Sequence, residues 1–231
     1  MSGWQRARRV AGFDTVFRRY VRGLVARSFA AVWVREGASL PERGGYVAVA
    51  NHNAWWDGFI PYLLQHACAP RVPFAILMSD PELRRFPFFR FCGAFSIDAT
   101  SLRAARASIV YAASLARGGE AVWIFPDGEL RPPGTPLRFT GGFAHAAREA
   151  GVCVVPVAMR FVQLDKQRPE VFVAFGAPLE PDRSSRERAQ EAVAALLATI
   201  DADVLAGGRA NYRAALTGRI GVDDRVALPR R

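Results

Sequence analysis

Apolar and polar positions in this chain change period repeatedly, and the changes mark out alternating helices and strands. Between residues 13 and 25, Phe13, Val16, Phe17, Tyr20 and Leu24 fall at i, i+3, i+4, i+7 and i+11, with Arg18, Arg19 and Arg22 opposite. That spacing predicts an amphipathic helix with a narrow, aromatic-rich face. Short apolar runs follow at 45–50, 72–78, 95–97, 121–125, 152–158 and 171–175, and each reads as a strand. Helical patterns fall at 58–68, 101–117 and 142–150, the second stopped by Gly118-Gly119. A last helix is expected to begin at a capping box, Ser184-x-x-Glu187, and to turn Val193, Leu196, Leu197, Ile200 and Val204 inward. The run at 121–125 is apolar throughout, as in a strand covered on both faces. Together these elements predict an α/β fold, a mostly parallel central sheet covered by helices. With no internal repeat or linker in view, the expected division is a basic N-terminal extension over residues 1–36 and a single domain over 37–231.

Composition narrows the possibilities. Of 231 residues, 51% are hydrophobic, enough for a full core with apolar surface left over. No apolar run approaches the roughly 18 to 20 residues that cross a bilayer as a helix. Arginines interrupt every N-terminal stretch that might serve as the core of a secretory signal. The net charge is +10, and residues 1–36 hold eight arginines against Asp14 and Glu36. Such a surface attracts anionic lipid headgroups, nucleic acid or phosphorylated ligands. Arginines opposite an apolar face favour a helix lying at a membrane interface over a plain surface helix. Nucleic-acid binding is set aside because the aromatics cluster in apolar runs (Phe86, Phe88, Phe89, Phe91) rather than interleaving with the charge. Cys68, Cys92 and Cys153 are isolated in sequence, which supports neither a disulfide framework nor a zinc site.

The candidate chemistry sits at two predicted strand ends. His52 follows the strand at 45–50, and Asp57 comes five residues later. On a continuous helix that spacing would hold the two side chains about 140° apart, so they meet only if a turn intervenes. A strand, a turn and then a helix supply it, at the sheet end where α/β folds place ligands. Asp57 would then fix the imidazole tautomer and leave the other nitrogen free to take a proton. No Gly-x-Ser-x-Gly elbow occurs, so the hydroxyl that His52 activates is expected to belong to a substrate. The second strand end carries Phe125-Pro126-Asp127-Gly128, with Arg131 and Arg138 as anion contacts and a long loop reaching Thr140.

These residues resemble the glycerophospholipid (PlsC-like) acyltransferase family. Asn51, His52 and Asp57 match its first block, Asn-His-x-x-x-x-Asp, and Phe125, Pro126 and Gly128 match its third, Phe-Pro-Glu-Gly-Thr-Arg, with Asp127 for Glu. Gly93 to Asp98 match the second block in part, and Val155-Pro156-Val157 the fourth. The resemblance spans roughly residues 30–180. It implies transfer of a fatty acyl group from acyl-CoA or an acyl carrier protein, as co-substrate, to a hydroxyl of a lysophospholipid or glycerol-phosphate-type acceptor. No other cofactor and no metal are implied. His52 would be the base and Asp57 its partner, with Asn51, Gly93, Phe95, Phe125, Pro126, Asp127, Gly128 and Arg131 around the substrates. The expected setting is peripheral, at the cytoplasmic face of an anionic membrane, held by the N-terminal helix. Two departures keep other acceptors open. The second-block arginine falls on Ala99, and Glu129-Leu130-Arg131 replaces Thr-Arg, so the arginine comes one residue late beside an acid. A hydroxylated lipid without the phosphate, such as a glycolipid, and a non-catalytic lipid-binding role are the alternatives.

Overall fold

Helix α1 (Phe13–Ser28) leads into strand β1 (Ala31–Arg35), and β2 (Tyr46–Ala50) then runs into the His52 segment. A short 3-10 helix at Trp55–Gly58 opens α2 (Phe59–Cys68), which is followed by β3 (Phe74–Ser79) and the short helix α3 (Asp80–Arg85). A second 3-10 helix, Pro87–Cys92, precedes β4 (Ala94–Ile97), α4 (Leu102–Arg117) and β5 (Ala121–Ile124). The order closes with α5 (Gly142–Ala150), β6 (Val154–Val162), β7 (Glu170–Phe175), α6 (Ser185–Leu205) and β8 (Tyr212–Thr217). The structure is a computed structural model and describes residues 4–219 and 221.

The strands form one sheet in the order β4-β3-β5-β2-β6-β7-β1-β8. It is mostly parallel, antiparallel only between β6 and β7 and between β1 and β8. Successive side chains of a strand point to opposite faces. In β2, Tyr46, Ala48 and Ala50 accordingly face the core that α1 and α2 cover, and Val47 and Val49 face the core beneath α4, α5 and α6. A buried Gln65 ties α2 to the strands that carry the candidate site. Its Oε1 accepts from the Tyr46 hydroxyl (2.9 Å) and Trp123 Nε1 (3.0 Å), while its Nε2 donates to the carbonyls of Ala69 and Val72. Every polar atom of that side chain is thereby satisfied, which makes a buried amide tolerable.

Several elements differ from the sequence reading. Residues 31–35, grouped there with the N-terminal extension, are a strand inside the sheet, paired with β7 and β8. Strand β8, helix α3 and both 3-10 helices carry no periodicity long enough to be read. The capping box does not form. Asp182, two residues upstream, takes both the Ser184 N–H (2.8 Å) and the Ser184 hydroxyl (2.9 Å), and Glu187 pairs with Arg186. A carboxylate is a stronger acceptor than a neutral oxygen, so Asp182 draws the serine away from its capping role.

Helix α1 forms where expected, and the fold divides its apolar stripe. Val21 and Val25 are buried, Phe13 and Phe17 are partly covered by the phenylalanines of the second 3-10 helix, and Val16 and Tyr20 stand 70% and 59% exposed. Burying a valine stabilises by roughly 1.5 to 3 kcal/mol, so the Val21/Val25 face decides the rotation. A polar clamp reinforces it. The Tyr62 hydroxyl donates to Asp14 Oδ1 (2.8 Å), and His66 Nε2 lies 3.2 Å from Oδ2. The His66 contact, followed by that of Tyr62, holds the Asp14 carboxyl below its usual range against the opposing effect of burial. Among the described residues, no helix is long and apolar enough to cross a membrane.

Candidate active site

Strands β2, β3, β4 and β5 run parallel and end on one rim of the sheet. The chain leaves β2 at Asn51, whose fully buried side chain pairs with the next strand, Oδ1 accepting Met159 N–H (2.9 Å) and Nδ2 donating to Met159 carbonyl (3.0 Å). Asn51 therefore braces the rim and does not offer its amide to a substrate. Residues 52–54 then turn, so that the 3-10 helix brings Asp57 back beneath His52, as the five-residue spacing requires.

His52 Nδ1 and Asp57 Oδ2 are 2.9 Å apart. The same carboxylate oxygen accepts the backbone N–H groups of Asn53 (2.6 Å) and Ala54 (2.8 Å). The Asp57 side chain is completely buried, whereas that of His52 is 24% exposed. With Nδ1 turned to that carboxylate oxygen, Nε2 is the ring nitrogen left uncommitted. The imidazole stacks on Phe125, with ring centroids 4.6 Å apart and planes 21° apart, so the two predicted segments meet face to face.

The loop after β5 is sewn to the His52 turn. Arg131 N–H donates to the His52 carbonyl (2.9 Å), and Asn53 Nδ2 donates to the Arg131 carbonyl (2.7 Å). Gly128 N–H closes a turn onto the Phe125 carbonyl (3.1 Å), with Gly128 at φ +73°, a left-handed conformation that glycine adopts without strain. The Pro126 carbonyl accepts both the backbone N–H and the hydroxyl of Thr140. Asp127 is buried and its Oδ1 accepts Arg138 N–H (2.7 Å), so Asp127 holds the loop's far end to its near end. Arg138 serves this contact with its backbone while its residue surface lies exposed.

Arg131 carries the charge of the site. One terminal guanidinium nitrogen meets Glu129 at 2.7 Å, and its buried Nε lies 3.7 Å from Asp127 Oδ1 without making a hydrogen bond. Two carboxylates thus share this guanidinium.

Two expected substrate residues lie elsewhere. Ile76 pairs with both Ala94 and Trp123, so Gly93 sits at the level of mid-β5, well short of the rim. A Cβ on Gly93 would come within 2.3 Å of the Phe74 carbonyl, and its φ is +102°, so glycine is needed there for backbone packing. Phe95 is wholly buried against Tyr111 under α4. Both belong to the scaffold.

Asn53 escaped the sequence reading. Its only signal was a polar residue directly after His52, since its partner lies 78 positions away. Trp55, Trp56 and Phe59 were also unassigned. They continue through Phe89 to Phe17 and Phe88, forming an aromatic band from the Asp57 turn to α1. Among the described residues no group of three or more His, Cys, Asp or Glu gathers at metal-binding spacing.

The chain is 29% identical over 125 residues to a 1-acyl-sn-glycerol-3-phosphate acyltransferase of Borreliella burgdorferi, a match covering 52% of this chain and about half, 48%, of that relative. Its fold is similar to the crystal structure of the 1-acyl-sn-glycerophosphate (LPA) acyltransferase PlsC from Thermotoga maritima, with a TM-score of 0.60 and 22% identity, covering 82% of this chain and 78% of that one. Residues 31–160, which contain every rim residue described above, match the model of the Acyltransferase family, and the chain belongs to that family.

Proposed function

We propose that this protein moves a fatty acyl group from a thioester, acyl-CoA or acyl carrier protein, to the hydroxyl of a lysophospholipid-type acceptor. His52 is the general base and Asp57 its positioning partner. As the acceptor oxygen attacks the thioester carbonyl, His52 Nε2 takes the hydroxyl proton, and Asp57 stabilises the resulting imidazolium. The tetrahedral intermediate collapses with cleavage of the carbon–sulfur bond, and His52 returns the proton to the departing thiolate. The supporting observation is the Asp57 oxygen that holds two backbone N–H groups and the imidazole together, leaving one ring nitrogen uncommitted. The names of the similar proteins point to 1-acylglycerol 3-phosphate as acceptor.

The aromatic band from Trp55 to Phe88 suits an acyl chain, and the exposed Val16 and Tyr20, on a helix that also exposes Arg19 and Arg22, suit docking of α1 on an anionic membrane. A second reading, an acceptor without a phosphate, is favoured by the Glu129–Arg131 pair, which occupies the loop's cation.

The test is release of free thiol from acyl-CoA and from acyl carrier protein against a panel of lysophospholipids and glycolipids. His52→Ala should lower turnover by about 10² to 10⁴-fold while the circular dichroism spectrum stays unchanged. Wild-type turnover from His52→Ala would remove the mechanism, and turnover restricted to uncharged acceptors would select the second reading.

A further inference from the structure

Away from the rim residues just described, the outer side of α4 carries an open groove of about 500 Å³ lined by Trp4, Arg6, Arg103, Arg106, Tyr111 and Ser114. Its size falls within the range of small-molecule sites. The α4 residues recur at helical spacing, so one face of the helix forms one wall. The other wall is the N-terminal segment, which is held in place along the edge of β4. Gln5 N–H donates to Ser96 Oγ (2.7 Å), Ser96 N–H donates to the Gln5 carbonyl (2.9 Å), and Arg8 N–H donates to the Arg90 carbonyl (2.9 Å). Trp4 and Arg6 are thereby fixed relative to α4.

Two features set the groove's chemistry. Trp4 and Tyr111 pack with centroids 5.2 Å apart, and the Arg6 guanidinium lies 5.4 Å and 5.5 Å from the two rings. Tyr111 in turn rests edge-on against the buried Phe95, which anchors the platform. Among the described residues, none of Arg6, Arg103 and Arg106 forms an ion pair with a carboxylate. Arg9 pairs with Glu120, Arg84 with Asp80 and Arg160 with Asp201, whereas the three groove arginines keep their charge free. Three uncompensated guanidiniums beside two aromatic rings match a ligand that brings several phosphates and a planar base.

We propose that this groove binds the 3′-phosphoadenosine diphosphate end of a coenzyme A thioester. The assignment rests on the acyltransferase reading and names coenzyme A as the carrier of the acyl group. An acyl carrier protein brings its thioester on a phosphopantetheine without adenine, and a phospholipid headgroup brings phosphate without a stacked ring, so neither uses both features. α4 starts just beyond the end of β4, so Arg103 and Arg106 in its first turns lie toward the rim that carries His52.

Isothermal titration of the full chain with coenzyme A, 3′,5′-ADP, ADP and pyrophosphate tests the assignment. Wild type should bind coenzyme A and 3′,5′-ADP alike, ADP more weakly and pyrophosphate weakest. The double variant Arg103→Ala, Arg106→Ala should lose at least ten-fold in affinity for coenzyme A, with an unchanged melting temperature because both side chains are exposed and unpaired. Undiminished coenzyme A binding by the double variant would overturn the proposal. So would pyrophosphate binding as tight as that of 3′,5′-ADP, which would leave a phosphate site with no recognition of the base. Thiol release from acyl-CoA by the wild type, with a lysophospholipid acceptor, reads the chemistry separately from binding. Absent turnover alongside groove-dependent coenzyme A binding would overturn the acyltransferase reading and the donor role, while the nucleotide site would stand.

Discussion

One oxygen of Asp57 collects an imidazole and two backbone N–H groups, and that convergence explains why His52 and Asp57 were legible five residues apart. The contacts are local, so spacing alone carries them. Asn53 was not legible, because its meaning depends on the Arg131 carbonyl in a distant loop. The positions of Gly93 and Phe95 were hidden for a related reason: sequence order places them in a family block, but only strand register reveals their level in the sheet. Glu129 gives the sharpest test at this scale. It is exposed, so its pairing with Arg131 is worth about 0.2 to 1 kcal/mol. Replacing it by Gln frees the guanidinium for an acceptor phosphate. Glu129→Gln should lower the KM for a lysophosphatidate roughly two- to five-fold and leave that for an uncharged acceptor unchanged. Equal changes for both acceptors would show that Arg131 does not meet the phosphate.

Among the elements, α1 shows how far periodicity reaches. Spacing fixed that a helix forms at Phe13, but its rotation follows from what it packs against, and the Val21/Val25 face won. The leftover pair, Val16 and Tyr20, then stands exposed. Val16→Asp with Tyr20→Asp places two acids where apolar burial in a bilayer would occur. Each lost side chain is worth roughly 1.5 to 3 kcal/mol if fully buried, so sedimentation with anionic vesicles should fall by at least ten-fold, with secondary structure preserved. Vesicle binding equal to wild type would exclude this face as the membrane contact. Helix α6 teaches a similar lesson about caps, since Asp182 out-competed the expected box from just beyond the motif's window.

At the scale of the whole molecule, the parallel centre of the sheet was readable from its continuous apolar runs, and its margins were not. β1 and β8 sit together at one end, and β8 alternates exposed and covered residues too weakly to stand out. At the other end β4 would be a bare edge but for the segment from Gln5 to Arg9, which bonds to Ser96, Arg90, Phe74 and Glu120. Exposed strand edges invite pairing with other chains. Removing residues 1–9 should therefore make light scattering depend on protein concentration under conditions where the full chain's does not. A trimmed chain that scatters like the full one would show that β4 needs no cover.

The clamp of Asp14 by Tyr62 and His66 has a consequence beyond stability. It locks α1 onto α2, and Gln65 locks α2 onto the strands bearing the imidazole and its stacked phenyl ring. With α1 docked on a bilayer as proposed, the assembly would act as a fixed gauge, setting the height of the His52 ring over the lipid leaflet. Acceptors would then be sorted by how far their alcohol protrudes from that leaflet as much as by the headgroup that bears it.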